Sequence, residues 1–174
     1  GETYRLMQRY DEALADFNRA IELQPDNAWA IASRGQVYQA LEQYDDALAD
    51  FNCTIELRPD LEWAIASRGE TYRLMQRYDE ALADFNWAIE HQPHSAWIIA
   101  SRGQVYQALE RYDDALVDFN CTIELKPDLE WAIADRGRVY RALERYDDAL
   151  TDLNRAIELQ PDNAWAIASR GETY

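Results

Sequence analysis

Residues 28–61 read AWAIASRGQVYQALEQYDDALADFNCTIELRPDL, and the reading of this stretch decides the fold. From Ala28, apolar or small side chains recur at Ile31, Ala32, Gly35, Tyr38 and Leu41. Offsets of three, four and seven place them on one face of a helix. After the polar break Glu42–Gln43, a second such face runs through Tyr44, Ala47, Leu48, Phe51, Thr54, Ile55 and Leu57. Asp45 reads as the N-cap of this second helix. Pro59 stops it, because proline lacks an amide hydrogen and clashes with the preceding turn. Asp60 reads as the cap of the helix that follows. The unit is helix, short turn, helix, short turn, with no strand pattern.

The unit repeats. Prolines stand at 25, 59, 93, 127 and 161 and glycines at 1, 35, 69, 103, 137 and 171, always 34 apart. Five of the six tryptophans, at 29, 63, 97, 131 and 165, keep the same interval. A period of this length marks a quasi-one-dimensional array in which each unit packs on its neighbours. The expected organisation is one array over 1–174, with segments 1–27, 28–61, 62–95, 96–129, 130–163 and 164–174. A coarser period of 68 is also present: residues 1–18 recur letter for letter at 69–86, and 35–57 nearly recur at 103–125. Gly35 lies inside its helix, where glycine costs about 1 kcal/mol against alanine. Its bareness lets the second helix approach, an approach expected at Ala47 with Tyr38 and Phe51 beside it.

The set Gly35, Tyr38, Ala47, Phe51 and Pro59 resembles the tetratricopeptide (TPR) repeat, a 34-residue unit with Gly-x-x-Tyr, Ala-x-x-x-Phe and Pro. The resemblance covers the whole chain, in a form similar to bacterial arrays of near-identical repeats. Departures are few. Leu153 replaces the second-helix Phe, and Thr54 and Thr122 stand where Ala20, Ala88 and Ala156 keep the family's alanine. The tryptophan commonly placed at the Ile31 site is found at Trp29 instead. The resemblance implies an all-α solenoid wound as a right-handed superhelix, with a concave groove that holds a peptide or helical segment. It also implies a role like that of bacterial arrays serving larger signalling proteins.

Charge bounds the partners. Acids outnumber bases 33 to 17, for a formal charge of -16. Nucleic acid demands basic surface, and so does an anionic membrane, so neither is an expected partner. A hydrophobic content of 48% and an aromatic content of 12% exclude a solvated coil. No apolar run reaches the roughly 18 residues of a membrane span. Gly1-Glu2-Thr3-Tyr4 shows no signal peptide, and two cysteines fit a reducing compartment, so a cytoplasmic location is expected. Both ends read Gly-Glu-Thr-Tyr with no polar capping helix, as in a segment of a longer array or one that stacks end to end.

The acids follow the period. Asp11, Glu12, Asp16 and Glu22 recur as Asp45, Asp46, Asp50 and Glu56 and onward, accounting for 20 of the 33. They predict an acidic outer face, read as solubility or as a docking surface for a basic partner. First helices carry Arg34, Arg68, Arg102, Arg136 and Arg170, with Arg5, Arg73 and Arg141. A partly buried arginine needs a carboxylate. The expected structural pairs are Arg34 with Asp50 (or with Asp16 of the preceding copy), Arg68 with Asp84, Arg102 with Asp118 and Arg136 with Asp152.

Chemistry-bearing motifs are absent from the sequence: no Gly-x-Gly-x-x-Gly, P-loop, Cys-x-x-Cys or His-Glu-x-x-His. Carboxylate pairs such as Asp45–Asp46 recur in every copy, unlike a catalytic pair in one asymmetric pocket. No enzyme activity, cofactor or metal is expected. His91 and His94 lack a third ligand and read as drift. Cys53 and Cys121 are two repeats apart and read as reduced thiols, and the Asn52-Cys53-Thr54 and Asn120-Cys121-Thr122 sequons as incidental.

A stripe beside the buried face of each first helix matches the family's groove: Trp29, Ala32, Ser33, Gln36, Gln39 and Ala40. By that match the groove candidates are Trp29, Trp63, Trp97, Trp131 and Trp165, with Gln36 and Gln39, Glu70 and Arg73, Gln104 and Gln107, and Arg138 and Arg141. The tryptophans either form a binding ladder or pack between neighbouring repeats. Members that bind chaperone tails place lysine and asparagine where this chain has Ala32 and Gln36, or Ala66 and Glu70, so such tails are not the expected ligand. The middle copy, with Trp87, His91, His94, Ser95 and Ile98, is the least regular.

Overall fold

The computed structural model describes residues 9–174. Gly1 and Arg5 of the sequence pattern lie outside the described residues. Ten helices and no strand occur among them. They are α1 (Tyr10–Leu23), α2 (Ala28–Ala40), α3 (Tyr44–Leu57), α4 (Glu62–Leu74), α5 (Tyr78–His91), α6 (Ala96–Ala108), α7 (Tyr112–Leu125), α8 (Glu130–Ala142), α9 (Tyr146–Leu159) and α10 (Ala164–Gly171). The chain divides between Gln92 and Pro93 into two compact units. In the first, α2 pairs with α3 and α4 with α5, while α1 packs on α2 and α3 on α4. In the second, α6 pairs with α7 and α8 with α9, while α7 packs on α8 and α9 on α10.

Each hairpin closes by a shared device. Gln43 N–H donates to the Tyr38 carbonyl (2.9 Å) and Glu42 N–H to the Gln39 carbonyl (3.0 Å), the two bonds of a Schellman motif. Its left-handed residue is Glu42, Gln76, Glu110 or Glu144, with φ of 57–59°. Glycine is usual there, so each turn holds a strained non-glycine residue.

The helix starts correct two expectations. The second helix of the 28–61 unit begins at Tyr44, its N-cap is Gln43, and Asp45 lies inside the first turn. There Asp45 and Asp46 meet the positive end of the helix dipole without capping it. Asp60 caps nothing either, because the N-cap of α4 is Leu61. The side-chain caps are Asn27 and Asn163, whose Oδ1 accepts from Ala30 N–H and Ala166 N–H at 3.0 Å.

The core is built both within and between hairpins. Ala32, Ala47, Phe51 and Ala64 cluster across α2, α3 and α4. Ile123, Ile133, Ala134, Leu153, Ala156 and Ala166 cluster across α7 to α10. A Cβ on Gly35 would come within 3.1 Å of the Phe51 ring and 3.2 Å of Asp50 Cβ. The close approach is therefore at Asp50 and Phe51, one turn beyond the expected Ala47. At Gly137 the neighbours are Leu153 Cγ at 3.1 Å and the Ala149 carbonyl at 3.3 Å. Thr54 fits an alanine site because its hydroxyl donates to the Asp50 carbonyl at 2.8 Å.

Candidate functional site

Arginine at the position before the helix glycine joins three helices. Arg34 grips Asp50 with two bonds, Nε to Oδ2 at 2.8 Å and Nη2 to Oδ1 at 2.7 Å. Its Nη1 donates to Asn18 Oδ1 at 2.7 Å, on the second helix of the preceding hairpin. Arg68 repeats this with Asp84 and Asn52, and Arg136 with Asp152 and Asn120. Arg102 grips Asp118 at 2.8 and 2.7 Å, and Arg170 donates to Asn154 at 2.9 Å. The hydrogen bonds they donate to the aspartates hold the Arg34, Arg68, Arg102 and Arg136 guanidinium pKa values above the ordinary value. Burial pushes the Asp118 carboxyl up against the pull of Arg102. The carboxylate partner sits in the arginine's own hairpin, as the sequence implied. The preceding copy contributes asparagine, where Asp16 was the alternative.

These arginines fix the register of the helices that carry the groove candidates. In the first unit, Gln39 Nε2 donates across repeats to Thr71 Oγ1 at 2.9 Å and to the Ser67 carbonyl at 3.2 Å. Glu70 and Arg73, one turn apart on α4, are locked by bonds of 2.6 and 2.9 Å. Gln36 is half-buried on α2. In the second unit, Gln104 Nε2 donates to Asp135 Oδ2 at 2.8 Å. Gln107, Arg138 and Arg141 gather with Tyr112 and Ala142 around a cavity of about 290 Å³. Arg138 Nη1 lies 3.7 Å from Asp135, and its guanidinium carbon is 4.8 Å from the centre of the Trp165 ring. Arg141 pairs with Glu172. Among the described residues no group of three or more His, Cys, Asp or Glu could hold a metal ion.

A sequence model of the TPR repeat matches residues 1–42 and 137–174. YrrB, a TPR protein with an unusual peptide-binding site, has the same fold at a TM-score of 0.78 and 24% identity, over 98% of this chain and 88% of that one. TTC0263, a thermophilic TPR protein from Thermus thermophilus, superposes at a TM-score of 0.81 and 22% identity, covering 99% and 94%. MamA does so at 0.80 and 21%, covering 95% and 96%. No curated protein sequence matches the chain. The fold is that of a tetratricopeptide repeat array, and residues 1–42 and 137–174 match the repeat in sequence as well.

The five ladder tryptophans of this TPR array occupy unlike places. Trp63 and Trp131 are half-buried, and Trp63 packs against the Ala32–Phe51 cluster. Trp29, Trp97 and Trp165 are 54%, 43% and 41% exposed, enough surface to contact a partner. Trp29 sets its edge on Phe17, centroids 6.0 Å apart, and lines a cavity of about 480 Å³ with Leu57 and Arg58. It stands ten residues before Gln39, roughly 15 Å along α2 at 1.5 Å per residue. The tryptophans and the polar side chains thus occupy opposite ends of the first helices. Trp165, stacked under Arg138, brings the two sets together in the second unit.

Several participants were not read from the sequence: the asparagine partners, Asp135, Tyr112, Thr71 and Glu172. The asparagines had a signal, since Asn18, Asn52, Asn86, Asn120 and Asn154 keep the 34-residue interval. Asp135 also had one, because serine fills its place at 33, 67, 101 and 169. The irregular middle copy forms a local motif. Trp87 and His91 stack at 3.8 Å, and His91 Nδ1 donates to the Trp87 carbonyl at 2.8 Å.

Proposed function

We propose that this TPR array is a non-catalytic protein-interaction scaffold that binds a peptide or helical segment along the polar ends of its first helices. The observation that carries the reading is the gathering of Gln107, Arg138 and Arg141, three groove candidates, around one cavity with Tyr112. Inter-repeat bonds from Gln39 and Gln104 preorganise the surface, and that lowers the entropy lost on binding. YrrB's described peptide-binding site supports the same use of the fold. Within the described residues no helix is long and apolar enough to cross a membrane.

A peptide array probed with the labelled chain tests this reading. One variant replaces Gln107, Arg138 and Arg141 by alanine; another replaces the exposed Trp29, Trp97 and Trp165. The first should lose the bound spots, and loss in the second would extend the contact to the tryptophan ends. Unchanged spots with both variants overturn the reading. Light scattering across concentration separates it from end-to-end stacking, which requires a mass that grows with concentration.

A further inference from the structure

Two first-helix positions change their charge from repeat to repeat. These hold Gln36 and Gln39 in one copy, Glu70 and Arg73 in the next, then Gln104 and Gln107, then Arg138 and Arg141. Two are neutral pairs, and one is an ion pair closed on itself at 2.6 Å. The fourth places two arginines one turn apart, on the wall of a cavity of about 290 Å³. In a chain of net charge -16 this sets two cations side by side, with the carboxylates of Asp135 and Glu172 against them. An arginine fork matches a carboxylate, and such charged hydrogen bonds are about twice as strong as neutral ones.

The structure also shows which chemistry the fork accepts. The carboxylate of Glu172, from the following repeat, is already seated on Arg141. Its side chain is 64% exposed, so solvent competes for it and it is held loosely. Arg138 stacks on Trp165 and its Nη1 lies 3.7 Å from Asp135, beyond hydrogen-bond distance, so this half of the fork is held in place and keeps donors for a second carboxylate.

We propose that Arg138 and Arg141 form a carboxylate-binding pocket for an aspartate or glutamate side chain of an extended peptide, and that Glu172 is an internal competitor displaced on binding. This rests on the scaffold reading and names its ligand class. Glutamine occupies both arginine positions in other copies, and also the Glu172 position at Gln36 and Gln104, so glutamine variants suit all three sites. The chain's overall negative field opposes an acidic ligand at a distance. At about 0.15 M ionic strength the Debye length is about 8 Å, so that repulsion is screened while direct contact is not.

The experiment titrates the full chain with a short synthetic peptide alternating glutamate and alanine, read by tryptophan fluorescence and calorimetry at that ionic strength. Controls are the glutamine version of the peptide and free glutamate. The expected results are saturable binding of the glutamate peptide alone, a loss of about tenfold in each of Arg138→Gln and Arg141→Gln, and a gain of roughly threefold in Glu172→Gln. Equal affinity for the glutamine peptide, equal binding of free glutamate, no binding at all, or a Glu172→Gln variant that binds no tighter each overturns the proposal. If neutral array peptides still bind when the glutamate peptide does not, the scaffold reading stands and only this pocket is lost. The Glu172→Gln result decides the matter even if an arginine variant fails to fold.

Discussion

The helices α4 and α8 are equivalent positions two repeats apart, EWAIASRGETYRL against EWAIADRGRVYRA. Four residues differ: Ser67 against Asp135, Glu70 against Arg138, Thr71 against Val139, and Leu74 against Ala142. Everything that closes the hairpin is kept. Ala64, Ile65 and Ala66 are buried as Ala132, Ile133 and Ala134 are. Arg68 holds Asp84 as Arg136 holds Asp152, at 2.7 Å. Two of the differences are buried, Ser67 against Asp135 and Thr71 against Val139, and the change of charge is at the surface, where Glu70 satisfies Arg73 within α4 while α8 presents two arginines to a cavity. The residues that close the hairpin are thus held constant while the charge displayed beside them changes.

The packing half of that comparison breaks most severely in the core. Phe85→Ala in the α4–α5 hairpin should cost about 3–5 kcal/mol, because the ring is fully buried. Phe85→Leu should cost only about 1 kcal/mol, since Leu153 fills the same place in the α8–α9 hairpin with its Cγ 3.1 Å from the Gly137 Cβ position. Urea titration reads both. Asp84→Ala and Asp152→Ala come next. Each strands an arginine that is 22% or 17% exposed, so the cost should be about 2–4 kcal/mol, somewhat below that of a fully buried pair. The two losses should agree within about 0.5 kcal/mol if the two hairpins are equivalent.

The recognition half sharpens by exchange. Arg138→Glu should recreate the closed pair of α4 and abolish glutamate-peptide binding, with stability changed by no more than about 0.5 kcal/mol. Glu70→Arg should give the first unit a second arginine pair and a measurable affinity for the same peptide. The smallest effect is at the surface. Arg77 donates to Glu80 and holds its carboxyl below the ordinary value of 4.5. A carboxyl with a depressed folded pKa stabilises above its unfolded pKa, and the contribution is lost as pH falls through the folded value. Glu80→Gln should lower the thermal midpoint slightly at pH 7, and the difference should vanish as the pH drops below 4.5.

The sequence made the hairpins legible because their determinants are local and repeated. Gly35, Tyr38, Phe51 and Pro59 each act through helix periodicity or helix termination, and four of the arginine–aspartate pairs followed from one buried charge needing another. The helix caps were misread because aspartate is an attractive cap in isolation, while the hairpin turn already fixes the start at Gln43 and the left-handed residue at Glu42. The cavity was legible only in part: Gln107, Arg138 and Arg141 stand on the stripe named from the sequence, but their neighbours do not. Tyr112, Arg141 and Glu172 are brought together by packing between repeats, and no spacing within one repeat encodes that.

The arginine that spans three helices has an evolutionary consequence. Arg34, Arg68 and Arg136 each reach sixteen residues forward to an aspartate and sixteen back to an asparagine. Removing or inserting a block of thirty-four residues within a unit therefore hands such an arginine an identical pair of partners. A gene built this way tolerates unequal recombination in whole units, and the protein can change length while each junction stays intact.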